Sequence, residues 1–248
     1  MSVSFLRNAR RRPQPKTSPV LHIGGFTGLS CTDYPGLLSA VVFCQGCPWR
    51  CGYCHNPHLL ASRAVNPLAW DHIERLLERR RGLLDAVVFS GGEPTLQPGI
   101  ADAMRAAKRM GFRIGLHTAG IHPRRLQALL PLTDWIGMDI KAPFAEYAAT
   151  TGVPNSAGPV LESMELIMAS GVSHEFRTTV NAALLPPQSL LELAQLLAKL
   201  GVHNYVLQEF RAQGTADSGL SGARSYLTES YCRPLAALFP SFTLRRAQ

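Results

Sequence analysis

Four cysteines fall within eleven residues, at Cys44, Cys47, Cys51 and Cys54, in the run FCQGCPWRCGYCHNP. In a cytosolic chain, thiols clustered this way argue for a metal site rather than a disulfide. Three sites are compatible with the spacing. Four ligands could hold structural zinc, although only three residues separate the inner pair and zinc knuckles usually sit on a longer loop. Four ligands could hold a ferredoxin-type cluster, although the C-x2-C-x2-C-x3-C order is not met. Alternatively Cys47, Cys51 and Cys54, spaced C-x3-C-x2-C, could hold a four-iron cluster and leave one iron open. An open coordination position is what separates a catalytic metal site from a closed structural one. Cys44 is then expected to pack at a strand end, and Cys31 and Cys232 to be small buried thiols.

Other polar groups recur further along. SGGEPT spans Ser90 to Thr95, and its Gly91-Gly92 pair lets backbone approach a ligand closely. LHTAG follows at residues 116–120, MDIK at 138–141 and RTTV at 177–180. Lys141 and Arg177 are cations suited to a carboxylate. Asp139 and Thr118 offer oxygens to a ribose or a bound cation. Of the eight histidines, His55 and His58 adjoin the cysteines, and His55 is expected to shape that loop. Trp49, inside the cysteine run, is placed to keep water from a cluster, while Trp70 and Trp135 read as core.

These groups need a frame that brings them together. Apolar runs at residues 38–43, 86–89, 112–116, 135–140, 176–180 and 205–207 read as buried strands. Helical patterns lie between and after them, at 66–81 (Asn66 as N-cap, Pro67 as first helical residue), 100–110, 123–130, 161–169, 190–200 and 226–238. Gly111, Gly171 and Gly201 stand where helices should stop. Six such units after an N-terminal hairpin region mean a parallel α/β sheet. An open, partial (β/α)6 barrel and a doubly wound sheet both fit the count. In either, the polar motifs lie at the strand C-termini, where chemistry gathers.

The chain has 248 residues, 46% of them hydrophobic, and a net charge of +8. No apolar stretch approaches the ~18 residues of a membrane span, and no segment reads as a signal peptide, so a cytoplasmic protein is expected. Five positive charges lie in residues 1–16; without them the charge is +3, and without Arg245 and Arg246 it is +1. The excess therefore sits at the ends. Residues 1–20 read as a basic, disordered tail and 21–248 as one domain. That location argues against a nucleic-acid partner.

The cysteine spacing, with Tyr53 as the aromatic residue before the last cysteine and the Gly91-Gly92-Glu93-Pro94 loop one unit later, resembles the radical S-adenosylmethionine (SAM) superfamily. The resemblance runs from about Phe26 to Phe210. It implies a TIM-like partial barrel, an oxidoreductase with one [4Fe–4S] cluster on Cys47, Cys51 and Cys54, and SAM as second cofactor. It also implies a SAM site formed by Tyr53, Gly91, Gly92, Glu93, Pro94, Thr118, Asp139, Lys141 and Arg177, with the Glu93 position at the SAM ammonium. The runs Gly25-Phe26, Asp33-Tyr34-Pro35-Gly36, Cys54-His55-Asn56-Pro57, Asp139-Ile140-Lys141 and Tyr147 to Gly152 are similar to the activating enzymes of glycyl-radical enzymes. Within that branch they look like the anaerobic ribonucleoside-triphosphate reductase activating proteins. The implied chemistry is reductive SAM cleavage, fed by a flavodoxin- or ferredoxin-type reductant, and hydrogen abstraction from a glycine of the partner. Many activases of the branch carry an acid where His117 stands, helping to hold a monovalent cation beside SAM; this chain departs from them there. No cysteine lies between Cys54 and Cys232, so a single cluster is expected. Small-molecule chemistry of the deazapurine-synthase kind and an iron–sulfur electron carrier are the alternatives.

Overall fold

The computed structural model describes residues 20–215, 218–222 and 224–247. The basic tail expected over residues 1–20 lies outside them, apart from Val20. Eight strands form one sheet in sequence order: β1 (Ile23–Ser30), β2 (Ser39–Cys44), β3 (Ala86–Gly91), β4 (Arg113–Thr118), β5 (Trp135–Asp139), β6 (Ser173–Val180), β7 (Asn204–Glu209) and β8 (Ser241–Arg245). β1 and β2 pair antiparallel, and every later pair is parallel. A doubly wound sheet reverses its strand order at a switch point. The unbroken order here excludes that fold and gives the partial barrel, with β1 and β8 as its edges.

The helices are α1 (Trp70–Glu78), α2 (Ile100–Arg109), α3 (Pro123–Leu129), α4 (Tyr147–Thr151), α5 (Ala157–Ser170), α6 (Pro187–Lys199) and α7 (Glu229–Ala236). They pack on the outer face of the sheet. Ile100, Ala103, Met104 and Ala107 form the buried stripe of α2, and Gly111, in the left-handed region, follows its end. Gly171 and Gly201 close α5 and α6 in the same way. Ala40, Val41 and Val42 of β2 are fully buried. Each of the two valines contributes about 1.5–3 kcal/mol over an exposed one. Inside the barrel a small apolar cluster of Tyr34, Val41, Ala86, Val88 and Trp135 fills part of the space, while polar side chains line the rest.

Three sequence expectations change. Asn66 and Pro67 do not start α1, whose N-cap is Ala69. The Leu68 amide instead donates to the Ile23 carbonyl, so a tertiary strand contact outcompetes the local helix signal. β8 lies beyond the last helix, where no strand is expected. Cys31 is exposed rather than buried, whereas Cys44 and Cys232 are buried as expected.

Candidate active site

The cysteine loop leaves the end of β2 and is held from several sides. Gln45 is buried, and its amide donates to the carbonyls of His58 (3.0 Å) and Ala61 (2.7 Å). Gly24 makes room for it, since a Cβ there would lie 2.2 Å from Gln45 Oε1. The Gln97 amide donates to the Gln45 carbonyl (2.7 Å) and its oxygen accepts from the His22 amide (3.0 Å). Arg50 Nη1 donates to the carbonyls of Cys47 (2.7 Å) and Trp49 (3.0 Å). At the far end of the loop, the His55 ring stacks on Phe210 and its Nε2 lies 3.0 Å from the Arg211 carbonyl oxygen.

Cys47, Cys51 and Cys54 line one cleft, together with Tyr53, Gly91, Gly92, His117, Thr118, Asp139, Lys141 and Arg177. Cys44 lies outside that lining, in the main core. Burial pushes the Cys47 thiol up to about 11 and raises Cys51. These groups become thiolates when a metal supplies the positive charge. Among the described residues, no three His, Cys, Asp or Glu side chains converge on a single-ion site. The donor set lining the cleft is three soft thiols, a set that fits an iron–sulfur cluster.

The Gly91–Gly92 turn is pressed against this loop. A Cβ on Gly91 (φ 105°) would lie 2.6 Å from the Cys44 backbone, and one on Gly92 would lie 2.4 Å from the Gly46 carbonyl oxygen. The amides of Gly92 and Glu93 donate to the carbonyls of Cys44 (2.8 Å) and Gly46 (2.9 Å). Glu93 itself does not face the cleft. It is fully buried, and Oε1 accepts from the Thr95 amide (3.1 Å), the Thr95 hydroxyl (2.6 Å) and the Thr118 hydroxyl (2.7 Å), while Oε2 accepts from the Ala119 amide (2.9 Å). Four donors satisfy the carboxylate, which fastens the turn after β3 to the end of β4. Pro94 is also absent from the cleft lining. Thr118 lines the cleft, but its hydroxyl proton is committed to Glu93, and its oxygen accepts from the Gly120 amide (3.0 Å).

Three charges converge opposite the cysteines. Arg177 Nε and Nη2 both lie 2.9 Å from Asp139 Oδ1, and Lys141 Nζ lies 3.5 Å from Oδ2. Burial opposes ionisation of Asp139, yet Arg177 and Lys141 outweigh it and hold the carboxyl below its ordinary range. Burial likewise opposes the Lys141 charge, and Tyr53 and Asp139 outweigh it, so the ammonium is held well above its ordinary value. Its Nζ sits 5.6 Å from the centre of the Tyr53 ring, within cation–π range. Gly137 gives the guanidinium its seat: a Cβ there would lie 2.7 Å from Nη1, and its carbonyl accepts from Nη2 (3.2 Å). One acid thus faces two cations, and the cleft carries a surplus positive charge.

His117 completes this wall. Its Nε2 donates to the Asp33 carbonyl (2.9 Å), and its Nδ1 accepts from the Ser90 hydroxyl (3.2 Å). The carbonyl contact fixes the tautomer. Burial and then Arg177 push its pKa down to about 3, so the ring is neutral. Gln45, Gln97, Arg50, Gly137 and Ser90 are supporting residues that sequence reasoning does not single out. Arg50 binds carbonyls of its own loop, while the partners of the other four lie on other segments; only the glycine directly before the Met138-Asp139 run was a visible signal.

The model of the radical SAM superfamily matches residues 41–200, and the chain belongs to that superfamily. Its cofactors are accordingly a [4Fe–4S] cluster and SAM, and the three cleft-lining thiols, the glycine backbone and the surplus cation fit them. Within the superfamily it is related to activating enzymes of glycyl-radical enzymes. A provisionally named glycyl-radical enzyme activating enzyme of Methanocaldococcus jannaschii, MJ1227, is 28% identical over 79% of this chain and 82% of its own length. Pyruvate formate-lyase-activating enzyme of Clostridium pasteurianum is 34% identical over 48% of this chain and 52% of its own. The chain therefore aligns with about half the length of that relative. Streptococcus suis SuiB bound to S-adenosylmethionine has the same fold, with a TM-score of 0.59 at 14% identity over 82% of this chain and 48% of its own. A radical SAM methyltransferase from Sphaerobacter thermophilus scores 0.60 at 18% identity, over 87% and 68%. Among the described residues, no helix is long and apolar enough to cross a membrane.

Proposed function

We propose that this chain is an activating enzyme that installs a glycyl radical on a partner enzyme, and that the partner is an anaerobic ribonucleotide reductase. The observation that carries the reading is the convergence of Cys47, Cys51 and Cys54 with a glycine backbone and a surplus cation on one cleft, in a chain related over most of its length to a glycyl-radical activase. The ribonucleotide reductase rests on the motif resemblance from Gly25-Phe26 through Gly36, Cys54 to Pro57, Asp139 to Lys141 and Tyr147 to Gly152.

In this reading Cys47, Cys51 and Cys54 would hold one four-iron cluster. Bound there, the cluster would supply the one-electron reduction that SAM cleavage needs, and a glycine Cα of the partner would give up the hydrogen atom. The chain positions and shields. Lys141 is the cation for the SAM carboxylate. The Gly91 and Gly92 backbone lies where the amino group is held; Glu93 acts by fixing that backbone rather than by touching the ligand. Trp49, packed edge-on against Tyr147 at 6.0 Å and nearly buried, closes the cysteine loop against water. Hydrogen-atom transfer needs no general base, and both nitrogens of His117 are already engaged. We further place the domain at residues 21–248, the protein in the cytoplasm, and a flavodoxin- or ferredoxin-type protein as electron donor.

The test is electron paramagnetic resonance after the reduced, cluster-loaded protein is mixed with SAM and the reductase. A glycyl radical signal on the reductase, formed together with methionine, is the expected result. SAM cleavage without that signal would remove this partner and keep the superfamily chemistry.

A further inference from the structure

A monovalent cation beside SAM would need anionic or neutral oxygen ligands on the cleft wall, and the residues here do not fit it. Asp139 is the one acid among the described residues lining the cleft. Its Oδ1 already accepts a hydrogen bond from Arg177 Nε and lies 2.9 Å from Nη2 in the same ion pair, and Oδ2 faces Lys141. On the same wall stands His117, whose Nε2 proton is given to the Asp33 carbonyl and whose Nδ1 lone pair is taken by Ser90. The Thr118 hydroxyl gives its proton to Glu93 and accepts from the Gly120 amide. A metal cation placed here would add a third positive charge beside a single carboxylate, with like-charge neighbours on two sides.

We propose that this cleft binds SAM without a monovalent metal cation, because Arg177 and Lys141, fixed on Asp139, supply the positive charge from within the chain, and His117 offers no free ligand atom. The inference rests on the SAM site proposed above. Gly137 belongs to the same device: with any side chain at that position the guanidinium could not lie against the strand. Arg177 is a positioning residue in this account, since it acts through Asp139, whereas Lys141 is the cation left to meet the ligand carboxylate.

The experiment measures SAM binding to the anaerobic, cluster-loaded protein by equilibrium dialysis at constant ionic strength, in potassium, sodium or tetramethylammonium chloride. Tetramethylammonium is too large and too poorly ligated to fill a cation site. For the wild-type protein we expect SAM affinity to agree within about twofold in all three salts. His117→Asp should bind SAM at least about tenfold more tightly in potassium or sodium than in tetramethylammonium, while His117→Asn should stay indifferent to the salt. The asparagine variant separates a change of charge from a damaged fold. Wild-type binding that strengthens tenfold in potassium or sodium would overturn the inference and leave the SAM site standing. An indifferent His117→Asp protein would overturn the role given to His117. No binding in any salt would overturn the SAM site and this inference with it.

Discussion

β6 carries two charged side chains, Glu175 and Arg177, two residues apart and both turned to the inside of the sheet, and they meet opposite arrangements. Glu175 is nearly buried and takes both guanidinium nitrogens of Arg245, at 2.7 and 2.8 Å. The cavity around it has two acids, Asp134 and Glu175, and two bases, Arg113 and Arg245. Arg177 instead shares a single acid, Asp139, with Lys141. The larger cavity, about 580 Å³, is therefore the balanced one, and the cleft with the cysteines has the unbalanced charge. Size alone would pick the wrong end of the barrel. A fixed surplus charge in a half-buried cleft marks where an ion of opposite sign is wanted, whereas a one-to-one pair holds strands together.

The comparison can be broken at several points. The largest effect is expected at the thiols: Cys47→Ala, Cys51→Ala and Cys54→Ala should each lose the cluster and drop SAM cleavage to background, measured as bound iron and methionine formed. Cys44→Ser, in the core behind them, should keep both; loss of its cluster would make Cys44 a ligand. Next is Lys141→Met, expected to weaken SAM binding about 10- to 100-fold, as for one lost charge-assisted hydrogen bond. Its urea midpoint should move little, and a large fall there with unchanged SAM affinity would reverse the roles given to the two ends. Glu175→Gln should do the opposite. With Arg245 about one-third exposed, the loss is discounted to about 1–3 kcal/mol in urea unfolding, with SAM affinity within twofold of wild type. At neutral pH the last effect is silent, and it emerges only on acidification. The folded state holds the His117 pKa at about 3, below its ordinary value of 6.5, so the unfolded chain binds the extra proton first. The contribution of His117 is complete above pH 6.5 and declines as pH falls toward 3. Stability of the wild type relative to His117→Phe should fall across that window, and its ring resonances should not titrate between pH 8 and 5.

The central strands β2 to β7 were legible because sheets covered by helices need continuous apolar runs. β1 was legible only as part of an N-terminal hairpin region and β8 not at all, since an edge strand needs only one buried side. β1 is broken by Gly24, Gly25 and Gly28, and β8 reads Ser-Phe-Thr-Leu-Arg, half polar. The cysteines and the Gly91-Gly92-Glu93-Pro94 turn could be picked out by residue type and spacing. The direction of Glu93 could not, because its partners Thr118 and Ala119 arrive from another strand. Nor could Gln45 and Gln97 be paired across 52 positions. Spacing reports ligands that share a loop, while the groups that steady the loop come from wherever the fold brings them.

The turn at Gly92 and the loop at Gly46 are joined backbone to backbone, with no side chain between them to absorb a shift. Two binding events resting on such a joint are thermodynamically linked. Whatever factor a seated cluster adds to the affinity for SAM, SAM must return to the retention of iron. Wherever that factor exceeds one, SAM bound in the cleft would shift the equilibrium toward the cluster-loaded protein.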